Sequence, residues 1–481
     1  MRRVLVLAAL GSLSLPAQAQ ALSSWRAVAT ETGIHPSLYG TWKSLGYGWV
    51  FDIGPDGAAG YDISEAGCLR GETQTAETLA RWARVFALDS DRLRISSSPT
   101  NSTQYVFEPI PAVPEACATP PDASPRGVFD YAWGVMKEHY AFFDLHGVDW
   151  DARYAALSPR IREDMTEAEL FDVFETLLEG LNDQHLGLTA EIEGESRRFQ
   201  GWRSTILGPA ITEAFEAQDE IPTRGAFANQ WFVETRRQIE EEVLMGTATA
   251  SESDNMFWGR RGRVGYLFLR GMDGFTARED APFEDQVPAA DSVMTQALTD
   301  LADTDALVID LVLNRGGYDD VSISIASRFA NQPAPGPTMY AFGAEADTRQ
   351  SFIVEPASGI RYLKPVTLLT SELTVSAAET FTLQMRALPN VTHVGEPTTG
   401  SLSGALVRPL PNGWVLELSN EVFLDTNGEL WEGRGIPPHV PMPVFRLDDL
   451  GSYIATLTGL MDWLLTTLGN SPARGHPGLE R

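Results

Sequence analysis

Four short segments of this 481-residue chain hold residue types that could do chemistry. In Leu373-Thr374-Val375-Ser376-Ala377-Ala378-Glu379 a strand pattern ends and a helical one begins, which sets Ser376 in the first turn of a helix. Backbone N–H groups there lack partners and the helix dipole is positive, so an anion such as a tetrahedral oxyanion is favoured. A serine nucleophile, with the N–H of Ala377 as oxyanion donor, suits that geometry. A serine that only caps the helix suits it too. The run from Asp310 through Asn314 to Gly316 and Gly317 leaves a buried-strand pattern in two adjacent glycines. They let the backbone turn sharply and present N–H groups to a ligand, although ordinary strand-to-helix turns use glycine the same way. His185 closes Leu181-Asn182-Asp183-Gln184-His185, just past an amphipathic run, where an imidazole can reach out as a general base. Glu432 stands in the Gly-rich turn Glu429 to Gly435, a place a solvated surface glutamate would also occupy.

The elements that must position these residues follow from periodicity. Residues 38–53 are dense in aromatic and branched side chains, residues 54–57 read as a turn, and residues 105–107 as another strand. Residues 109–125 are rich in proline and read as a linker. Ser124-Pro125 starts an amphipathic helix through Tyr140, and a capping box of Thr166 and Glu169 starts a second through Leu181. Residues 190–255 are polar and show neither a repeat nor a clear period. From about residue 263 strands alternate with helices: strands at 264–269, 306–311, 366–370 and 391–395, and helices around 293–301 and 377–388. Asn412-Gly413 marks a hairpin, and residues 469–481 read as a frayed tail. The alternation predicts an α/β domain with helices covering a sheet.

Taken together, the segments resemble one family, the tail-specific (C-terminal-processing) serine peptidases with the catalytic core of tricorn protease. That family carries DLRxNxGG, TxSAxE, GExTxG and EGxGIxPD in this order. Here Asp310 to Gly317, Thr374 to Glu379, Gly395 to Gly400 and Glu432 to Pro438 stand in those places. Upstream, Val148-Asp149-Trp150-Asp151 and Leu181 to His185 are similar to its DWD and LxDxH segments. The resemblance spans residues 125–445 and implies a ClpP/crotonase-like α/β peptidase core with a helical cap; it does not cover the small N-terminal β-rich domain, which is read from the strand patterns above. The expected boundaries are 20–118 for the β-rich domain, 119–255 for the cap carrying His185, 256–446 for the core, and 447–481 for a C-terminal helix and tail.

The family has two catalytic versions. One pairs serine with a lysine that follows GExTxG; here Ser401 holds that position, and no lysine follows Lys364. The tricorn-like version uses serine, histidine and glutamate. By resemblance, then, Ser376 is the nucleophile that forms an acyl-enzyme and His185 is the general base. Glu432 orients or charge-balances it, and Gly316 or Gly317 with Ala377 supplies the oxyanion donors. Three positions depart from the pattern. Val312 replaces the arginine of DLR, Gln184 stands where the tricorn version has a serine, and Pro438 replaces an aspartate. The same fold also builds non-catalytic modules that bind hydrophobic ligands, a reading that Val312 and Gln184 leave open. Acyl-CoA chemistry of the crotonase kind fits less well, because an acidic chain offers few phosphate contacts.

Composition narrows the partners. Acidic residues outnumber basic ones 65 to 36, a formal charge of −29, which disfavours nucleic acid and anionic membrane surfaces. The expected partner is a peptide or protein substrate. No HExxH, P-loop or dinucleotide fingerprint occurs, so no metal or organic cofactor is implied. Arg2, Arg3, an apolar run to Leu15 and Ala17-Gln18-Ala19 read as a signal peptide over residues 1–19, hence an exported protein, periplasmic or secreted. The two cysteines, Cys68 and Cys117, are expected to pair in that oxidising setting.

Overall fold

The computed structural model describes residues 25–470, apart from 90, 100–101, 277 and 279–282. The expected signal segment and residues 471–481 lie outside the described residues.

The centre is a seven-stranded sheet in the order Thr249–Ala250, Met256–Arg261, Val264–Leu269, Ala306–Asp310, Val366–Thr370, Val391–Gly395 and Val440–Pro441. The first two pairings are antiparallel and the remaining four parallel. Val264–Leu269, Ala306–Asp310 and Val366–Thr370 are buried at every residue, as strands covered on both faces must be. Alternation assigns the two faces. Leu267, Leu269, Leu307, Ile309 and Leu368 pack under the helices Phe283–Asp300, Asp319–Ser327 and Ala377–Arg386. Tyr266, Phe268, Val308 and Leu369 pack under the helix Ser452–Asn470 and the segment around Leu207 and Ile239. That last helix continues through Asn470, so the expected fray from residue 469 is corrected at its start: Leu460, Met461 and Leu464 still bury an apolar stripe one to two turns earlier.

Register decides where chemistry can sit. Phe268 lies opposite Asp310, Asp310 opposite Leu369, and Thr370 opposite Gly395. The parallel strands therefore end together, and the loops that follow them meet at one edge, where ligands of open α/β sheets bind.

The segment expected to be a helical cap is mixed. It holds the helices Pro125–His139, Trp150–Leu157 and Glu167–Leu178, the last closed by the expected capping box. It also holds the strands Gly187–Ile192 and Glu195–Gln200, which join Val415–Ser419 and Ala405–Pro409 in a four-stranded sheet. Leu188 and Ala190 point into the core beside Trp414 and Leu416, a period-2 pattern in an otherwise polar stretch. The helices Leu207–Glu216 and Arg224–Gln238 follow.

Residues 26–110 form an eight-stranded antiparallel sheet with its own apolar cluster of Phe51, Phe86, Leu93 and Phe107. A disulfide joins Cys68 to Cys117 with 4.9 Å between Cα atoms, and so ties this sheet to the proline-rich connection. The unit is locked to the core by polar bonds. Arg408, only 1% exposed, donates to Asp62 Oδ1 at 2.6 Å, and Tyr47 Oη donates to Glu421 Oε1 at 2.7 Å. Among the described residues no helix is long and apolar enough to cross a membrane.

Candidate active site

Ser376 follows the strand Val366–Thr370 after a five-residue turn and immediately precedes the helix Ala377–Arg386. Its backbone has φ 62° and ψ −127°, which side-chain-bearing residues rarely adopt. Hydrogen bonds overdetermine the turn. Ser371 Oγ donates to Val312 O (2.7 Å), Thr374 Oγ1 to Leu311 O (2.8 Å), and Val375 N to Asn314 O (3.2 Å). The Ser376 turn is thus sewn to the loop that carries the glycine pair.

That loop presses directly on Ser376. A Cβ placed on Gly316, where φ is +80°, would stand 2.6 Å from Ser376 Cβ and 3.1 Å from its Oγ. Only glycine fits this approach. The Gly316 N–H, however, donates to Asn314 Oδ1 at 3.0 Å, so it is already committed. Asn314 also donates from Nδ2 to Leu269 O at 2.9 Å, fixing the loop to the neighbouring strand end. No hydrogen bond takes the Gly317 N–H among the described residues, and Ala377, first in its helix, has no intrahelical acceptor.

The segment 398–403 is the hub of the site. Ser401 accepts from Ser376 N through its carbonyl (3.1 Å) and from Gln184 N through its hydroxyl (3.0 Å). One residue thus holds both the serine and the histidine segment. Glu379, fully buried, in turn holds Ser401: its carboxylate accepts from Ser401 N (2.8 Å), Gly400 N (2.8 Å), Thr398 Oγ1 (2.6 Å) and Ser376 N (3.2 Å). Burial pushes its pKa up to about 7 against those four donors. Glu372, from the same turn, accepts five hydrogen bonds from residues 204–207, which together outweigh its burial and hold its pKa below the ordinary value. Asp310, at its strand end, accepts from Tyr266 Oη (2.8 Å), Tyr453 Oη (2.7 Å) and Val312 N (2.9 Å), and burial pushes it up to about 6.

His185 and Glu432 reach this hub by different routes. Asp183 Oδ1 accepts from His185 N at 2.8 Å, while His185 Nδ1 is buried without a partner. Burial holds the imidazole below its ordinary pKa, opposed by the nearby carboxylates Asp183 and Glu417. Glu432 Oε2 accepts from Leu402 N (2.9 Å) and Ser403 N (3.3 Å), and its Oε1 is buried and unpartnered. Burial, then Asp183 and Glu379, push its carboxyl well above the usual range. No hydrogen bond joins His185 to Ser376 or to Glu432 among the described residues. The carboxylate closest to His185 in effect is Asp183, which also acts on Glu432.

Lys364 donates to Ala302 O and Thr304 O at the opposite end of the Val366–Thr370 strand from Ser376. A five-residue strand spans about 17 Å, out of reach of a dyad. Val312, where the sequence pattern has arginine, is fully buried beside Val394 and Leu457. Asp183, Asn314, Glu379 and Ser401 carry the geometry without having been assigned a role from sequence; the glutamate of Thr374-Val375-Ser376-Ala377-Ala378-Glu379 was the one visible signal.

Residues 263–442 match the family model of Peptidase family S41. The S41-like stretch contains Gly316, Gly317, Ser376, Glu379, Ser401 and Glu432. A second model, the Tricorn protease C1 domain, matches residues 121–179. Asp183 and His185 lie between the two matches. Among solved structures, a protein from Parabacteroides merdae described as a candidate peptidase is 24% identical, with a TM-score of 0.56 over 73% of this chain and 100% of that one. Mature CPAF is 12% identical, with a TM-score of 0.51 over 73% of this chain and 98% of that one. Both share the mixed α/β fold with this chain.

Proposed function

We propose that this protein is an exported serine peptidase that cleaves peptide bonds through an acyl-enzyme on Ser376. The observation that carries the reading is the backbone of Ser376, held at φ 62° in a helix-initiating turn inside the S41-like stretch. Such a conformation costs on the order of 1–3 kcal/mol and persists where function requires it. The Ser376 hydroxyl stands beside Gly316, next in the chain to the open N–H of Gly317, and Ala377, which follows Ser376, also has an open N–H.

In the mechanism, Ser376 Oγ attacks the scissile carbonyl while neutral His185 takes its proton. The oxyanion accepts from Ala377 N and, of the two glycines expected to serve, from Gly317 N, because Asn314 already occupies the Gly316 N–H. His185 returns the proton to the leaving amine, and water attacking the ester repeats the cycle in reverse. Asp183 supports the imidazolium, and Glu432 acts behind it by fixing residues 402–403. The Ser376–His185 hydrogen bond forms when substrate closes the site, as catalytic contacts commonly do. The carboxylates and arginines lining the cleft beside Gly317 argue against a module for hydrophobic ligands.

Fluorophosphonate labelling with peptide mapping tests this reading. The adduct is expected on Ser376, and Ser376→Ala should lower kcat by on the order of 10⁴–10⁶ with the fold retained. Peptidase activity of Ser376→Ala within tenfold of the unmutated protein would sink the assignment. N-terminal sequencing of the exported protein, expected to begin after Ala19, checks the signal.

A further inference from the structure

A cleft of about 1210 Å³ opens between the N-terminal sheet and the loop that follows the glycine pair, and its lining includes Trp82, Tyr105, Gly317, Tyr318, Asp319 and Asp320. It adjoins the nucleophile. Gly317 lines it, and the neighbouring Gly316 is the residue whose Cβ would stand 3.1 Å from Ser376 Oγ. Asp319 is tied to the nucleophile helix, since Thr380 Oγ1 donates to its Oδ1 at 2.5 Å. The volume exceeds that of a pocket for one side chain and suits a short stretch of peptide.

The carboxylates Asp319 and Asp320 line the cleft. Together with Glu421, which lies behind the lining, they act on Tyr105. Ser97 and Ser102 hydroxyls occupy both oxygens of Asp320, and the Tyr47 hydroxyl occupies Glu421 Oε1. Asp319 Oδ2 takes no hydrogen bond among the described residues, and burial pushes this carboxyl up to about 7. The arginines of the lining, Arg81 and Arg278, are exposed at the rim, where Arg81 faces Glu77 at 3.7 Å. Rings and an under-partnered carboxylate together favour an organic cation, which gains from the ring faces while restoring the carboxylate charge. Among the described residues no group of three or more His, Cys, Asp or Glu side chains is arranged to hold a metal ion.

We propose that this cleft receives the substrate segment beside the scissile bond and selects one carrying a lysine or arginine side chain, with the N-terminal sheet supplying the wall of Trp82 and Tyr105. The assignment rests on Ser376 being the reacting residue. Under it the N-terminal unit is part of the substrate site rather than an appended module.

The test is binding, not turnover. Two dye-labelled Ala/Gly peptides, identical except for one lysine or one norleucine, are titrated by fluorescence anisotropy into the full-length Ser376→Ala protein. The lysine peptide should bind about tenfold more tightly, as a cation meeting both a carboxylate and aromatic faces should. Asp319→Asn, isosteric with the native side chain, should bring the two peptides to within about twofold of each other. Trp82→Leu should do the same in part and serves if the asparagine variant does not fold. Equal affinities in the Ser376→Ala protein would overturn the proposal, as would a lysine preference that survives both substitutions. Fluorophosphonate labelling of the unmutated protein separates the two readings. A lysine preference without labelling sinks only the peptidase, and labelling without the preference sinks only the cleft assignment.

Discussion

Replacing Glu379 by glutamine probes whether the carboxylate beneath the hub is needed as a carboxylate. Its Oε2 accepts from Ser401 N and Ser376 N, and its Oε1 from Gly400 N and Thr398 Oγ1. A protonated Glu379 remains satisfied. The proton sits on Oε1 and is donated to Thr398 Oγ1, a hydroxyl that can reverse its role, while both N–H groups still reach Oε2. Glutamine has no such solution. With Nε2 in the Oε1 position it faces Gly400 N–H, donor against donor, where the acceptor stood at 2.8 Å. Turned the other way, it opposes two N–H groups instead of one. The better choice leaves one buried backbone N–H and one amide hydrogen unpaired, at about 1–3 kcal/mol each, so a loss of roughly 2–6 kcal/mol is expected. The same displacement moves Ser401, which holds Ser376 N and Gln184 N. A shift of about 1 Å there costs about 10²-fold in rate. Urea denaturation and the rate of fluorophosphonate labelling are measured in parallel at pH 5 and pH 8. If Glu379→Gln lies within about 1 kcal/mol of the unmutated protein and labels within about twofold of its rate, the hydrogen-bond argument is wrong.

Gly316→Ala should label at least about tenfold more slowly, because its Cβ would collide with Ser376 Cβ at 2.6 Å and the site demands φ +80°; labelling at the native rate would refute the close approach. For activity against pH, the acid limb of kcat/KM should lie below the ordinary histidine value of about 6.5, since burial lowers His185 and the neutral form is the base. A midpoint above 7 would point to another base. For stability, the folded pKa values of Glu379 and Asp319 (about 7) and of Asp310 (about 6) lie above their unfolded values of 4.5 and 3.8. The folded state therefore binds more protons between about pH 4 and 7, so these groups make stability fall as pH rises through that window, with Glu379 alone worth about 3 kcal/mol. The urea midpoint should drop from pH 5 to pH 8, and a rise would contradict the assignment.

Much of the frame was legible because it rests on local periodicity. Val264–Leu269 and Val366–Thr370 are continuous apolar runs bounded by turns, and the helix after Ser376 begins where its pattern does. The helix Leu207–Glu216 was not legible for a physical reason. No side chain of its own caps it; Glu372, 165 residues away in sequence, accepts from the N–H groups of Ile206 and Leu207. The strand pair at 187–200 escaped notice because charge stands on both of its faces, Arg197 lying over Phe171 beside Ala190 and Arg198 pairing with Glu417 on the other side, which leaves Leu188 and Ala190 as its only fully buried apolar side chains. Within the site, residue types revealed Ser376 and the glycine pair. Ser401 works through a carbonyl as well as a hydroxyl, and a backbone carbonyl leaves no trace in a sequence. The same holds for the Gly316 N–H, whose capture by Asn314 depends on where a loop folds.

Carboxylates rather than cations hold this site together. Glu379, Glu372 and Asp310 are satisfied by backbone N–H and hydroxyl groups, Glu432 is held by backbone N–H groups at one oxygen only, and none of the four hydrogen-bonds to a lysine or arginine among the described residues. His185, the proposed general base, is subject to two opposed influences. Burial makes its charged form costly, so His185 stays neutral at rest and able to take a proton. Asp183 and Glu417 act in the other direction, and their attraction is felt only once the ring becomes positive. In the proposed mechanism that moment is the transfer of the Ser376 proton, when an oxyanion would also begin to form at the opposite end of the reacting bond. Carboxylates near His185 and open N–H groups near Ser376 would then stabilise the two charges that the resting protein lacks. This is stabilisation of the transition state over the ground state. An arginine beside Asp183 or Glu417 would pair with that carboxylate, but it would also cancel the attraction that favours a positive ring at His185.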